Sequence, residues 1–98
     1  MMENLHIING LYAITPDQKN LSILSSQVES CIKGGAKLIQ YRSKKLSKIV
    51  QKKQAKQIKI VCNSYNIPLI INDDIELCRN LDADGVHLGE DDDFGELG

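Results

Sequence analysis

The chain is poor in aromatic side chains: they make up 4% of its 98 residues, and tryptophan is missing altogether. Nucleic-acid-binding surfaces use aromatic rings as platforms on which bases stack, so this scarcity argues against such a surface. The 12 basic and 13 acidic residues leave a formal net charge of -1 at pH 7, with no basic excess to attract DNA, RNA or an anionic membrane. We therefore expect neither nucleic acid nor membrane as a partner.

Cysteines are few and widely spaced. Cys31, Cys62 and Cys78 are odd in number and form no C-x-x-C pair, which argues against a disulfide framework and a structural zinc site and suits a reducing compartment. The opening residues MMENLHIING lack the basic and apolar regions of a secretory signal. Because no apolar run approaches the roughly 20 residues of a membrane helix, we expect a cytoplasmic protein.

Hydrophobic residues make up 42% of the chain and charged residues 26%, which is typical of a soluble globular protein of one domain, residues 1–98. Four short runs rich in Leu, Ile and Val predict strands at 10–15, 36–42, 67–73 and 84–90. Their consecutive apolar residues indicate strands that are covered on both faces, as in parallel sheets.

Helical periodicity fills the gaps between these strands and predicts helices at 21–33, 46–65 and 75–81. The order β-α-β-α-β-α-β predicts an α/β fold with a parallel sheet, whose ligands bind at the carboxyl ends of the strands. The lysines of residues 44–59 lie largely off the apolar stripe and indicate a solvated face. We place His6 in a terminal arm and interpret His87 as a packed core histidine.

Three long polar side chains, Gln40, Arg42 and Lys44, occupy alternate positions at the end of the second predicted strand. Alternate strand residues share one face, so Ile39 and Tyr41 are expected to face the helices instead. Burying the cations unpaired would cost several kcal/mol each, on the order of the penalty for any buried charge. A phosphate or pyrophosphate would offset that cost. The alternative is a strand tip that lies in solvent.

Acidic residues follow the next two predicted strands, at Asn72-Asp73-Asp74 and at Glu90–Asp93. Carboxylates at neighbouring strand ends can hold Mg²⁺ together with phosphate oxygens and water. The alternatives are that Asp73 or Asp74 caps the third helix and that residues 90–93 form a solvated acidic loop. Taken together with the cations one strand earlier, the pattern predicts a pyrophosphate pocket.

Four segments in this order and at these intervals resemble the thiamine-phosphate synthase family over about residues 10–93: LYAITPD, KLIQYRSK, PLIINDDIEL and ADGVHLGEDD. The resemblance implies a TIM (β/α)₈ barrel, of which this chain would form the first half, about four strands. It also implies an Mg²⁺-dependent transferase of thiamine biosynthesis. That enzyme joins hydroxymethylpyrimidine pyrophosphate to thiazole phosphate and releases pyrophosphate.

The same resemblance implies roles for individual residues. Gln40, Arg42, Lys44 and Asn72 would bind the pyrimidine pyrophosphate, and the metal ligands would be Asp73 and Asp92. No residue is implied as nucleophile or base. Two positions depart from the family pattern: Glu90 stands where glutamine is usual, and Ser43 where an acid is common.

A chain with half of a barrel is expected to be inactive alone and to self-associate, because its sheet edges and half of its core would be exposed. Two other functions are consistent with the pattern. One is a non-catalytic phosphate-binding or interaction module built on the same fold. The other is a thiazole tautomerase, which is less favoured because both metal aspartates are present.

Overall fold

The structure, a computed structural model, describes residues 6–8 and 12–88. Five strands and three helices follow one another as β1 His6–Ile8, β2 Tyr12–Ile14, α1 Leu21–Lys33, β3 Leu38–Tyr41, α2 Lys48–Ser64, β4 Leu69–Asn72, α3 Ile75–Leu81 and β5 Gly85–His87. The strands form one sheet in the order β1-β2-β3-β4-β5. Strands β2 to β5 are parallel, which confirms the predicted α/β class.

The first strand was not predicted. Residues 6–8 pair antiparallel with β2, His6 opposite Ile14, so the interpretation of His6 as part of a terminal arm was wrong. Three residues are too few to show the alternation that identifies a strand. This strand exists because it hydrogen-bonds to the edge of β2.

The helices begin and end at residues that the sequence marks. The side chains of Asn20 and Ser47 accept hydrogen bonds from Ile23 N at 3.0 Å and Val50 N at 3.3 Å, which caps α1 and α2. Gly35 then adopts φ 115°, a conformation that L side chains rarely take, and it turns the chain from α1 towards β3. Among residues 12–88, no helix is long and apolar enough to cross a membrane.

The core lies between the helices and one face of the sheet. The strand residues on that face are at most 1% exposed: Ala13, Ile39, Tyr41, Leu69 and Ile71. The helices supply five fully buried partners: Leu24, Val28, Ala55, Ile58 and Cys62. Ile39 and Tyr41 therefore face the helices as predicted, and Gln40 between them faces the opposite side.

Core truncation at α1 should destabilise the chain much more than truncation of an exposed residue. Leu24 is fully buried, so Leu24→Ala removes its packing and leaves a cavity, at a cost of about 2–5 kcal/mol in the free energy of unfolding. Ile49 is 73% exposed, and Ile49→Ala should change that free energy by less than about 0.5 kcal/mol. Urea titration followed by circular dichroism measures both. Equal costs would contradict this assignment of the core.

Candidate functional site

One row of polar side chains links β2, β3 and β4, from Tyr12 at the start of β2 through Gln40 to Asn72 at the carboxyl end of β4. Gln40 is only 2% exposed; its Nε2 donates to the Tyr12 hydroxyl, and its Oε1 accepts from Asn72 Nδ2 at 2.8 Å. Parallel register pairs Ile14 with Gln40 and Gln40 with Ile70, so Tyr12 lies two residues before one partner of Gln40 and Asn72 two residues after the other. The sequence-predicted residues Gln40 and Asn72 thus lie in direct contact.

Both the nitrogen and the oxygen of the Gln40 side-chain amide are hydrogen-bonded within this row. The polar groups that a ligand could contact are therefore those of its neighbours, Tyr12 and Asn72. Burial raises the pKa of Tyr12, although the hydrogen bond with Gln40 opposes the shift, so the hydroxyl keeps its proton at neutral pH. The hydroxyl hydrogen of Tyr12 and the side-chain oxygen of Asn72 take no part in the hydrogen bonds to Gln40. The row can therefore offer a donor from Tyr12 and an acceptor from Asn72.

The next polar contact links the loop after β3 to the end of β4. Lys44 Nζ lies 3.2 Å from Asp73 Oδ2, and the two side chains are 42% and 37% exposed. Strand β3 ends at Tyr41, earlier than predicted, so Arg42 and Lys44 belong to the loop of residues 42–47 rather than to an extended strand. The cation and the acid nevertheless meet at the same edge of the sheet.

The two aspartates after β4 have different roles. Asp74 is the N-cap of α3: its Oδ1 accepts from Leu77 N at 2.9 Å, and its Oδ2 lies 3.1 Å from Lys48 Nζ. Asp73 has φ 58° and donates its backbone N–H to the His87 carbonyl at 2.7 Å. Because Asp74 caps the helix, the carboxylate of Asp73 is left at the sheet edge beside Lys44.

A second acidic residue of the site, Asp17, was not anticipated from the sequence. Its Oδ1 accepts from Ser43 Oγ at 2.7 Å, Lys44 N at 2.9 Å and Lys45 N at 3.2 Å. Two residues earlier, Thr15 Oγ1 accepts from Arg42 N at 3.0 Å. These contacts join residues that are 26 to 28 positions apart. Local patterns identify Asp17 only as a turn residue after a proline.

Two expectations for the last strand have different outcomes. His87 is exposed, so its interpretation as a packed core histidine was wrong. It is the last residue of β5, paired with Asn72 at the carboxyl edge, where the side chain reaches solvent. Asp92, the expected second metal ligand, and Glu90 lie outside the described residues.

The donor set at the edge fits a hard cation. Asn72 and Asp73 offer amide and carboxylate oxygens, and Mg²⁺ takes one or two carboxylates plus phosphate oxygens and water. Within residues 12–88, no cluster of three or more His, Cys, Asp or Glu side chains is placed to hold an ion. Asp73 therefore fits a site that a phosphorylated ligand would complete better than a site made of protein side chains alone.

A parallel sheet that gathers a lysine, a carboxylate and paired amides at its carboxyl edge is typical of α/β proteins that bind small phosphorylated molecules. Comparison with known proteins gives the particular family. Residues 11–94 match the family model described as thiamine monophosphate synthase, and the chain belongs to that family.

Several curated relatives share the matched region. The chain is 46% identical over 85 residues to a thiamine-phosphate synthase of Nitrosospira multiformis, covering 87% of this chain and 36% of that protein. It is 49% identical to that of Methylobacillus flagellatus (87% and 41%) and 49% identical to that of Persephonella marina (85% and 40%). The chain thus spans about two fifths of the length of these relatives.

The structural role of Asp74 should appear in the pH dependence of stability. Burial alone would raise the pKa of Asp74, but hydrogen bonds from Leu77 N and Lys48 hold it below its usual value. A pKa that is lowered on folding adds stability above the unfolded-state pKa of about 4, and that stability is lost as pH falls through the folded value. Asp74→Ala should therefore lower the free energy of unfolding by about 1 kcal/mol at pH 7.

Urea titrations at pH 7 and near pH 2.5 measure this effect. The cost of Asp74→Ala should shrink at the lower pH. Asp74→Asn is the matched variant, because asparagine keeps the capping oxygen without the charge, so it should be more stable than Asp74→Ala at pH 7. A cost of Asp74→Ala that is the same at both pH values would contradict the role of the ionised cap.

Proposed function

We propose that this chain forms the pyrimidine-pyrophosphate and Mg²⁺ side of a thiamine-phosphate synthase active site, on the first half of a (β/α)₈ barrel. The observation that carries the proposal is the 3.2 Å contact between Lys44 Nζ and Asp73 Oδ2. It brings a cation from one strand end and a carboxylate from the next to the edge where Gln40 and Asn72 also meet. Membership of the family supports the choice of substrate and of thiamine biosynthesis.

Each described residue then has a distinct task. Lys44, with Arg42 on the same loop, supplies positive charge for the phosphate oxygens, as a point charge and a fork respectively. Asn72 presents its carbonyl oxygen to the pyrimidine and Tyr12 its hydroxyl proton. Gln40, buried between them, holds both in a fixed orientation through its two hydrogen bonds.

In the proposed reaction, the bond between the pyrimidine methylene carbon and the pyrophosphate oxygen breaks, and the thiazole nitrogen bonds to that carbon. The electron pair of the broken bond leaves with pyrophosphate. Lys44 would stabilise the charge that develops there, so the chain contributes positioning and electrostatics and no nucleophile. Asp73 would hold Mg²⁺, which when bound neutralises part of the same charge. Asp92 is the second ligand that the family resemblance implies.

A non-catalytic binding module is the second candidate, and the observation that favours it is that Lys44 and Asp73 meet at the sheet edge, where they can bind pyrophosphate and Mg²⁺ without any nucleophile. Both candidates use the same edge for pyrophosphate and both allow self-association of the half barrel. Calorimetry with hydroxymethylpyrimidine pyrophosphate and with inorganic pyrophosphate separates them. The synthase side should bind the pyrimidine compound more tightly, through Asn72 and Tyr12, whereas the module should bind both with similar affinity.

Pyrophosphate affinity should depend on Lys44. Calorimetry with Mg²⁺ and pyrophosphate should show binding to the wild-type chain. Lys44→Met should weaken it by about 10- to 100-fold, since hydrogen bonds to charged groups contribute roughly 1.5–3 kcal/mol. Lys53→Met removes the same charge from the exposed face of α2 and should leave the affinity nearly unchanged. Equal losses in the two variants would mean that only the net charge matters, which would exclude the proposed site.

Replacement of Asp73 should have opposite effects with and without metal. Asp73→Asn keeps the backbone at φ 58°, which asparagine tolerates, and removes the acid that pairs with Lys44. In the wild type, Asp73 competes with pyrophosphate for Lys44, and the variant removes that competitor. Without Mg²⁺, pyrophosphate should therefore bind up to about fivefold more tightly, because exposed ion pairs contribute about 0–1 kcal/mol. With Mg²⁺, the variant should lose the enhancement that the metal gives to the wild type.

Glu76→Gln is the charge-matched control for this experiment. Glu76 lies in the first turn of α3, is exposed, and is three residues from Asp73. It should show the same Mg²⁺ enhancement as the wild type. A Mg²⁺ enhancement that survives in Asp73→Asn would rule out Asp73 as the metal ligand.

A further inference from the structure

The loop of residues 42–47 carries both proposed phosphate-binding cations, but it lies beyond the end of β3. A loop residue that is free to move loses conformational entropy when it binds a ligand. The affinity of this loop for a phosphate therefore depends on what orders it beforehand. Most of its ordering contacts come from the segment of residues 15–17, which follows the neighbouring strand, and Gln51 of α2 adds a hydrogen bond to the Leu46 carbonyl at 2.8 Å.

Thr15 extends the pairing of β2 with β3 into this loop. Its backbone N–H donates to the Gln40 carbonyl at 2.9 Å. Its side-chain Oγ1 accepts from Arg42 N at 3.0 Å and lies 3.3 Å from the Arg42 carbonyl, to which it donates. Both backbone groups of Arg42 are thus held by one hydroxyl.

Asp17 continues this pairing with a charged group. One carboxylate oxygen accepts from the backbone of Lys44 and Lys45 and from the Ser43 hydroxyl, and Ser43 Oγ accepts in turn from Leu46 N at 3.3 Å. Four consecutive loop residues are therefore bonded, directly or through Ser43, to one side chain. Hydrogen bonds to an ionised acceptor are roughly twice as strong as neutral ones.

The charge state of Asp17 supports this role. Burial alone would raise the pKa of Asp17, but hydrogen bonds from Ser43, Lys45 N and Lys44 N, together with the charge of Arg42, hold it below its usual value. The carboxylate is therefore ionised throughout the neutral range and is acceptor-only. It satisfies the loop N–H groups and leaves the Lys44 ammonium directed to the sheet edge, 3.2 Å from Asp73.

We infer that Asp17 is a positioning residue: it orders the loop of residues 42–47 before a phosphorylated ligand binds, so that Lys44 meets the pyrophosphate without first having to be immobilised. This inference rests on the proposed function for the identity of the ligand. The ordering of the loop itself does not depend on any ligand. The two parts can therefore be tested separately.

The test combines amide hydrogen exchange without ligand and calorimetry with Mg²⁺ and pyrophosphate, both on the 98-residue chain. In Asp17→Ala, the amides of Lys44 and Lys45 should lose protection while those of the β3–β4 ladder keep theirs. Affinity for pyrophosphate should fall about tenfold, as expected when the ordering of about one residue is added to the cost of binding. Asp17→Asn, which keeps an acceptor oxygen without the charge, should lie between Asp17→Ala and the wild type in both measurements.

Asp82→Asn is the control, since it makes the same chemical change at the C-cap of α3, where the φ of 55° suits asparagine as well as aspartate. It should change neither measurement. A purely structural role for Asp17 would lower protection in the ladder as well as in the loop. Protection that is unchanged at Lys44 and Lys45 in Asp17→Ala would overturn the inference, and so would an unchanged affinity. If the wild type binds no pyrophosphate, it is the proposed function that fails, and the exchange data still decide whether Asp17 orders the loop.

Discussion

The parallel pairing of β3 with β4 is the constraint on which the site depends. Its register places Gln40 beside Ile70 and Tyr41 beside Ile71, so the two strands reach their carboxyl ends together. Burial fixes that register, because a slip of one residue would turn the fully buried Ile39 and Ile71 away from the helices. The apolar core on one face of the sheet therefore decides which polar residues meet at its edge.

Polar groups near this edge are satisfied by other parts of the chain, and each such bond fixes a different element. Burial raises the pKa of Tyr41 to about 12, so its hydroxyl stays protonated and donates to Gln54 of α2 at 2.9 Å. Asp74 caps α3, and Asp17 holds the loop after β3. The side chains that touch the proposed ligand thus project from elements whose own hydrogen bonds are already made, as a preorganised site requires.

The sequence predicted those parts of the structure that local patterns determine. The parallel sheet and the three helices follow from hydrophobic periodicity, and Asp74 was one of the two residues expected to cap α3. Gln40 and Asn72 were placed together because residues at the ends of adjacent parallel strands are neighbours. Family resemblance predicted the assignment to the thiamine-phosphate synthase family, which the comparisons confirm. The roles of the individual site residues stay predictions.

What the sequence did not predict depends on contacts between distant residues or on weak local signals. Strand β1 has three residues and no alternation, and β3 ends at Tyr41 because Arg42 bonds to Thr15 instead of continuing the ladder. The contribution of Asp17 arises entirely from residues 26 to 28 positions away. His87 has the apolar neighbours of a core histidine in sequence but occupies a strand end in space, where exposure is set by position in the sheet.

The contacts of the three aspartates, Asp17, Asp73 and Asp74, differ in strength, and the difference favours binding of a phosphorylated ligand. Asp17 and Asp74 each accept from backbone N–H groups, so their bonds maintain the fold whether or not a ligand is present. The Lys44–Asp73 pair is more than one-third exposed on both sides and joins one side chain to another. An exposed pair of this kind contributes about 0–1 kcal/mol, so exchanging it for a multiply charged phosphate and a metal ion costs little. The backbone at this edge of the sheet is therefore held in place, whereas Lys44 and Asp73 can exchange each other for the phosphate and the metal ion of the proposed ligand.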